Sequence, residues 1–90
     1  MITVRFTAHL KRWFPGLDTL SIPATTVREL IPALDLHHPG LSAWIVDEQG
    51  ALRQHVNIFV NRSMINDRQG LGDTLQPGDE VHIFQALSGG

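Results

Sequence analysis

Apolar and polar residues alternate along four segments of the chain, and this period of two predicts β-strands with one buried face. The apolar positions of these segments are Ile2, Val4 and Phe6, then Leu20 and Ile22, then Val56, Ile58 and Val60, and finally Val81 and Ile83. A shorter fifth strand is expected around Met64. Before the last strand, Gln76-Pro77-Gly78-Asp79 has proline and glycine at its central positions, which predicts a tight turn.

The period changes after residue 25. Thr26 and Glu29 have the spacing of a capping box, in which two side chains satisfy free backbone N–H groups at the start of a helix. The apolar residues that follow at helical spacing are Val27, Leu30, Ile31 and Leu34. We therefore predict a helix over residues 27–37 and a short helical turn over residues 41–45.

The order of these elements predicts the fold class. Strand, strand, helix, strand, short strand and strand make an α+β protein with a mixed sheet of four to five strands and one main helix packed on one face. Because one helix cannot cover both faces of a sheet, we expect the opposite face to be open. Strand alternation places the rings of Phe59 and Phe84 on that open face.

Composition excludes several classes of protein. The chain has 90 residues, enough for one small domain, and its net charge of -2 offers no attraction for the phosphates of nucleic acids. We find no apolar run that could span a membrane and no signal peptide. The absence of cysteine excludes disulfides and thiolate ligands. We therefore expect a soluble, cytoplasmic protein that binds neither nucleic acid nor membranes.

No motif points to catalysis or metal binding within the chain. Neither a Gly-x-Ser-x-Gly turn nor a His-Glu-x-x-His helix is present. Adjacent histidines, His37 and His38, point in different directions from a helix, so we interpret them as the end of that helix. The segment Gly70-Leu71-Gly72 lacks the third glycine of a dinucleotide-binding motif and is interpreted as a loop. We expect no catalytic residue, no metal site and no cofactor bound by the chain itself.

Two features suggest a docking surface with a reactive tail. Residues 85–90 are expected to form a tail that ends in Gly89 and Gly90, after a domain of residues 1–84. Glycine has no Cβ, so such a backbone can pass through a narrow channel and present its carboxylate to another protein. Exposed rings at Phe59 and Phe84 are typical of an interaction site. For the tail, the alternative is a chain end without function. For the rings, the alternative is that one is an isolated exposed aromatic residue and that a loop covers the other.

Four segments together resemble the MoaD/ThiS family of ubiquitin-like sulfur carriers. They are Met1-Ile2-Thr3-Val4-Arg5-Phe6-Thr7-Ala8-His9-Leu10, the capping box at Thr26, Pro77-Gly78-Asp79-Glu80-Val81 and Leu87-Ser88-Gly89-Gly90. The resemblance implies a β-grasp fold. It also implies that a ubiquitin-activating-type adenylyltransferase uses ATP to adenylate Gly90 and that a sulfur donor then converts it to a thiocarboxylate. A downstream synthase would accept the sulfur.

The same resemblance assigns roles to individual residues. Gly90 is the adenylation and thiocarboxylate site, and the residues that thread into the partner are Leu87, Ser88 and Gly89. Residues expected to bind the partner are Phe84, Phe59 and Met64. The chain would be a carrier and not an enzyme.

Several alternatives stay open. Thr7 departs from the molybdopterin type of carrier, Phe59-Val60-Asn61 resembles the cysteine-synthesis type, and His82-Ile83-Phe84-Gln85 is similar to the thiamin type. A second hypothesis is a ubiquitin-like modifier that is joined through Gly90 to lysines of target proteins. A third is an interaction module whose glycine tail has no chemical role.

Overall fold

A five-stranded mixed sheet organises the chain in the computed structural model, which describes residues 1–85. The elements in chain order are β1 (Ile2–Phe6), α1 (Ala8–Lys11), β2 (Leu20–Ile22), α2 (Val27–His37), α3 (Leu41–Ile45), β3 (Val56–Val60), β4 (Ser63–Met64) and β5 (Glu80–Gln85). The strands are arranged in the order β2-β1-β5-β3-β4. This architecture confirms the predicted α+β fold with its mixed sheet.

The first and last strands are neighbours at the centre of the sheet. β1 and β5 run parallel, with Val4 opposite Val81 and Phe6 opposite Ile83. The remaining pairs, β1 with β2, β5 with β3 and β3 with β4, are antiparallel. β5 includes Gln85, so the ordered strand extends one residue beyond the predicted boundary at residue 84.

One face of the sheet packs against the helices and forms the hydrophobic core. Val4, Ile58 and Val81 are completely buried there, together with Val27 and Leu34 of α2. This pattern confirms the helical face and the strand alternation inferred from the sequence. The short helix α1 was not predicted, although it places Leu10 in the core cluster.

The start of α2 differs in one detail from the predicted capping box. The hydroxyl of Thr26 accepts from the Glu29 backbone N–H at 3.4 Å, as expected. The Glu29 carboxylate, however, accepts from the backbone N–H of Thr25 at 2.6 Å and from its hydroxyl at 2.9 Å. The returning bond therefore reaches one residue further upstream than in the standard motif.

The loop between β4 and β5 satisfies the first backbone donors of α2. Val27 N–H donates to the Asp73 carbonyl at 3.0 Å, and Arg28 N–H donates to the Leu71 carbonyl at 2.8 Å. The first turn of a helix normally leaves such donors without a partner in the helix itself. The loop thus holds the beginning of α2 in place.

The same loop is organised by two charged side chains. Asp67 accepts from the backbone N–H groups of Gly70 at 2.8 Å and Gly72 at 3.0 Å, so the glycine-containing segment is a loop, as predicted. The guanidinium of Arg68 donates to the carbonyl of Arg53 at 2.8 Å and to that of Val56 at 3.0 Å. Arg68 therefore fixes the chain where it enters β3.

The turn before β5 confirms the prediction made for residues 76–79. Gly78 has a φ of 91°, a backbone conformation that favours glycine, and Asp79 N–H donates to the Gln76 carbonyl at 3.0 Å. None of the helices within residues 1–85 has the length and apolar character needed to cross a bilayer.

Candidate docking face

The face of the sheet opposite the helices carries a cluster of aromatic and polar side chains. In the strand register, Asn57 lies opposite Phe84, and Phe59 lies opposite both His82 and Met64. Directly opposed residues of neighbouring strands project from the same face. We call Asn57, Phe59, Met64, His82 and Phe84 the aromatic patch.

The rings of the aromatic patch contact one another. Phe59 and Phe84 meet edge to face with centroids 5.4 Å apart and an interplanar angle of 88°. The His82 ring stacks on Phe84 at 6.0 Å and 19°. Phe84 is 40% exposed and Met64 is 48% exposed. The predicted placement of Phe59 and Phe84 on the open face is therefore correct, and the two rings fix each other's orientation.

A shallow depression of about 510 Å³ lies within the patch. Its lining consists of Asn57, Phe59, Arg62, His82 and Phe84. Apolar rings with a few polar groups at the rim are the usual composition of a site that receives a side chain or small molecule.

The turn between β3 and β4 sets the position of Arg62 at this depression. Asn61 and Arg62 have φ values of 48° and 76°, both in the left-handed region. The Asn61 side chain fixes the turn, because its Nδ2 donates to Asp79 Oδ1 at 2.8 Å and its Oδ1 accepts from Glu80 N–H at 2.9 Å. These bonds join the turn to the start of β5.

Charged groups continue the open face beside the patch. Glu80 Oε2 lies 3.5 Å from Arg5 Nε, and Glu80 Oε1 lies 3.5 Å from His82 Nε2. Both pairs are substantially exposed to solvent, so they orient these side chains more than they stabilise the fold. Within the described strands this face carries the guanidinium of Arg5 and the carboxylate of Glu80, with Arg62 at its edge.

One residue of the aromatic patch, Phe84, lies next to the last described residue of the chain. Phe84 directly precedes Gln85, the last described residue, which pairs with Val56 on β3. The predicted tail residues Leu87, Ser88, Gly89 and Gly90 lie outside the described residues. Among residues 1–85, no group of three or more histidine, aspartate or glutamate side chains is arranged to hold a metal ion.

Sequence analysis did not single out three residues of this site. Asn57 and His82 share the parity of Phe59 and Phe84 along their strands, so the same alternation would have placed them on the open face. Arg62 carries no such signal, because its position depends on the left-handed turn that precedes β4.

A second aromatic cluster lies away from the sheet's open face. Trp13 and Trp44 stack with centroids 5.4 Å apart, and Phe14 meets Trp44 edge-on at 6.3 Å. Phe14 and Trp44 pack against the buried core. We therefore interpret this cluster as a cover of the core.

Comparison with known proteins gives consistent results. The sequence model described as the ThiS family matches residues 4–90. Small archaeal modifier protein 1 of Haloferax volcanii is 32% identical over 65 residues, which are 72% of this chain and 70% of that protein. A chain of the Amycolatopsis orientalis BexX/CysO complex has a TM-score of 0.86 and 28% identity, and the match covers 100% of both chains. For CysO of Mycobacterium tuberculosis the TM-score is 0.82 at 28% identity, covering 97% of this chain and 100% of that one.

Proposed function

The chain belongs to the ThiS family, whose members are small ubiquitin-like carrier or modifier proteins and not catalysts, and from this we propose that it carries sulfur as a thiocarboxylate at Gly90. One observation carries the proposal. Phe84 of the aromatic patch directly precedes Gln85, so a partner that covers the patch also stands at the beginning of the segment leading to Gly90.

The proposed partner is an ATP-dependent adenylyltransferase of the ubiquitin-activating type. A carboxylate is a poor acyl donor because oxide is a poor leaving group. Attack of the Gly90 carboxylate on the α-phosphate of ATP releases pyrophosphate and forms an acyl adenylate. Hydrosulfide supplied by the sulfur donor then attacks the carbonyl carbon and displaces AMP, which leaves the thiocarboxylate. No side chain of this protein can hold the sulfur as a thiol, since the chain contains no cysteine.

The distance from the patch to the reacting carboxylate limits how the partner binds. Gly90 lies five residues beyond Gln85, and a fully extended segment of this length spans at most about 18 Å. In the proposed complex, Leu87 and Ser88 enter the partner's channel, and Gly89 and Gly90 pass its narrowest part. The partner's ATP site must therefore lie within this reach of Gln85 at the end of β5.

The thiocarboxylate would next donate its sulfur to a synthase in cofactor or amino-acid biosynthesis, of the molybdopterin, cysteine or thiamin type. The BexX/CysO complex supports a protein partner for a chain of this fold.

The intact mass of the chain after reaction tests the proposal. The chain ending at Gly90 is incubated with the adenylyltransferase, ATP and sulfide, and we expect a gain of about 16 Da as one oxygen is replaced by sulfur. Deletion of Gly90, or Gly89→Val, should abolish the gain while changing the free energy of unfolding by less than about 0.5 kcal/mol. Sulfur loading of the shortened chain would contradict the proposal.

Similarity to small archaeal modifier protein 1 supports a second candidate, in which Gly90 is joined to lysines of other proteins. Both candidates need adenylation of Gly90, but their products differ. Isopeptide-linked adducts in cell extracts would support the modifier, whereas the free thiocarboxylate would support the carrier.

A further inference from the structure

We propose that Arg62 selects the partner by pairing with a carboxylate next to an apolar side chain that enters the depression of the aromatic patch. The inference rests on the proposed function, since the partner in question is the adenylyltransferase. It assigns this enzyme a contact surface with an apolar centre and an acidic rim.

The backbone at Arg62 is unusual for its residue type. A two-residue turn with positive φ at both positions favours Asn-Gly, and the first position of this turn is indeed Asn61. The second position is arginine with a φ of 76°, where glycine would avoid the steric strain of a Cβ. Strained positions of this kind are concentrated at functional sites. The long cationic side chain at this position also lines the depression.

The charge of Arg62 is available to a partner. The ion pairs found within residues 1–85 join Glu80 to Arg5 and to His82, and neither includes Arg62. The turn itself is fixed by the bonds of Asn61 to Asp79 and Glu80. The guanidinium is thus attached to a fixed backbone at the rim of the depression.

The chemistry of the depression defines what it binds. Phe59 and Phe84 provide an apolar floor for an aliphatic or aromatic side chain. A guanidinium at the rim matches a carboxylate in both charge and planar geometry. The carboxylates nearest this rim already have partners, because Glu80 lies 3.5 Å from Arg5 Nε and Asp79 accepts from the Asn61 side chain and from the Gln76 backbone N–H. A partner with lysine or arginine beside its apolar anchor would be repelled here.

The test measures pyrophosphate exchange by the adenylyltransferase at varied concentrations of wild type, Arg62→Gly, Arg62→Lys and Arg62→Glu. Arg62→Gly removes the charge while suiting the left-handed backbone. We expect KM to rise about fivefold for Arg62→Gly and about thirtyfold or more for Arg62→Glu, while kcat stays unchanged. The KM of Arg62→Lys should lie between the values of wild type and Arg62→Gly, because lysine keeps the charge without the planar guanidinium. The KM of the wild type should rise with salt more steeply than that of Arg62→Gly.

A matched control separates this contact from net charge. Arg28→Glu makes the same change in charge at an exposed position of α2, on the other side of the sheet, and should leave KM unchanged. Thermal unfolding checks that each variant is folded. Equal KM values for wild type, Arg62→Gly and Arg62→Glu would overturn the role of Arg62.

Direct binding distinguishes the two proposals. The same variants are titrated against the immobilised adenylyltransferase without ATP. Weaker binding of Arg62→Glu without any exchange by the wild type would overturn the sulfur chemistry and support the Arg62 contact. Absence of both binding and exchange by the wild type would overturn both proposals, whereas exchange that is insensitive to Arg62 would overturn only this inference.

Discussion

The ring of Phe84 on β5 meets the ring of Phe59 on β3 edge to face, with centroids 5.4 Å apart. The neighbouring residue of β5, Ile83, projects to the other face and is 1% exposed, whereas Phe84 is 40% exposed. Two adjacent residues of one strand therefore have separate tasks. Ile83 packs the core, and Phe84 forms the surface next to the proposed reactive tail.

This separation predicts opposite effects for two alanine variants. Phe84→Ala removes the contact with Phe59 and the buried part of the Phe84 ring. Its free energy of unfolding should therefore be only about 1 kcal/mol lower than that of the wild type. Its affinity for the adenylyltransferase should fall about tenfold or more. Ile83→Ala opens a cavity in the core and should cost about 3 kcal/mol of stability. Urea unfolding and titration with the enzyme measure both effects, and a larger stability loss for Phe84→Ala would contradict the assignment.

Arg68 is predicted to stabilise the entry into β3. Its guanidinium donates to the carbonyls of Arg53 and Val56, so Arg68→Met should leave these acceptors without this donor and cost about 2 kcal/mol of unfolding free energy. The matched variant Arg12→Met alters an exposed arginine and should change stability by less than about 0.5 kcal/mol. Chemical denaturation of both variants measures the difference, and equal effects would show that the Arg68 bonds contribute nothing.

Stability should fall in acid through a group of hydrogen-bonded carboxylates. The Ser42 hydroxyl and backbone N–H lower the pKa of Asp35, and the backbone N–H of Gly70 is the largest cause that lowers the pKa of Asp67. Because the folded pKa lies below the unfolded one, the stabilisation is complete above about pH 5 and is lost as the pH falls through the folded value. The stability difference between wild type and Asp67→Asn should therefore narrow as the pH is lowered from about 5 to about 2. A constant difference across this range would contradict the assignment.

The single lysine of the chain allows a test of conjugation between copies of this protein, which the modifier hypothesis permits. If copies of this protein are joined to one another through lysine, the acceptor must be Lys11, because the sequence contains no other lysine. Lys11→Arg should then abolish isopeptide-linked oligomers of the protein while leaving sulfur loading at Gly90 unchanged. Mass spectrometry of reactions containing only this chain, the adenylyltransferase, ATP and sulfide measures both products. Loss of sulfur loading in Lys11→Arg would place Lys11 in the docking surface instead.

Most of the fold could be predicted because its signals are local. The alternation in Val56–Val60 predicts β3, and the helical spacing after Thr26 predicts α2. The predicted bounds agree with the observed ones for both elements. The helix α1 could not be found this way, since four residues are too short to display a period. The bonds of Arg68 depend on how two distant segments meet, and no local pattern encodes that.

The residues of the site could likewise be predicted where a local pattern places them, but not where contacts between distant segments do. Phe59 and Phe84 follow from strand parity and the single main helix, both of which are visible in the sequence. Arg62 joins them only through the turn at Asn61, whose side chain is fixed by residues that come much later in the chain.

The parallel pairing of β1 with β5 has a consequence for synthesis of the protein in the cell. β5 is the last strand to be translated, yet it lies between β1 and β3 and bonds to both. A polypeptide released before residue 80 lacks the strand that joins the two parts of the sheet, so it stays unfolded and exposed to proteases. We therefore expect prematurely terminated products to be degraded, so that folded copies carry the strand that bears Phe84.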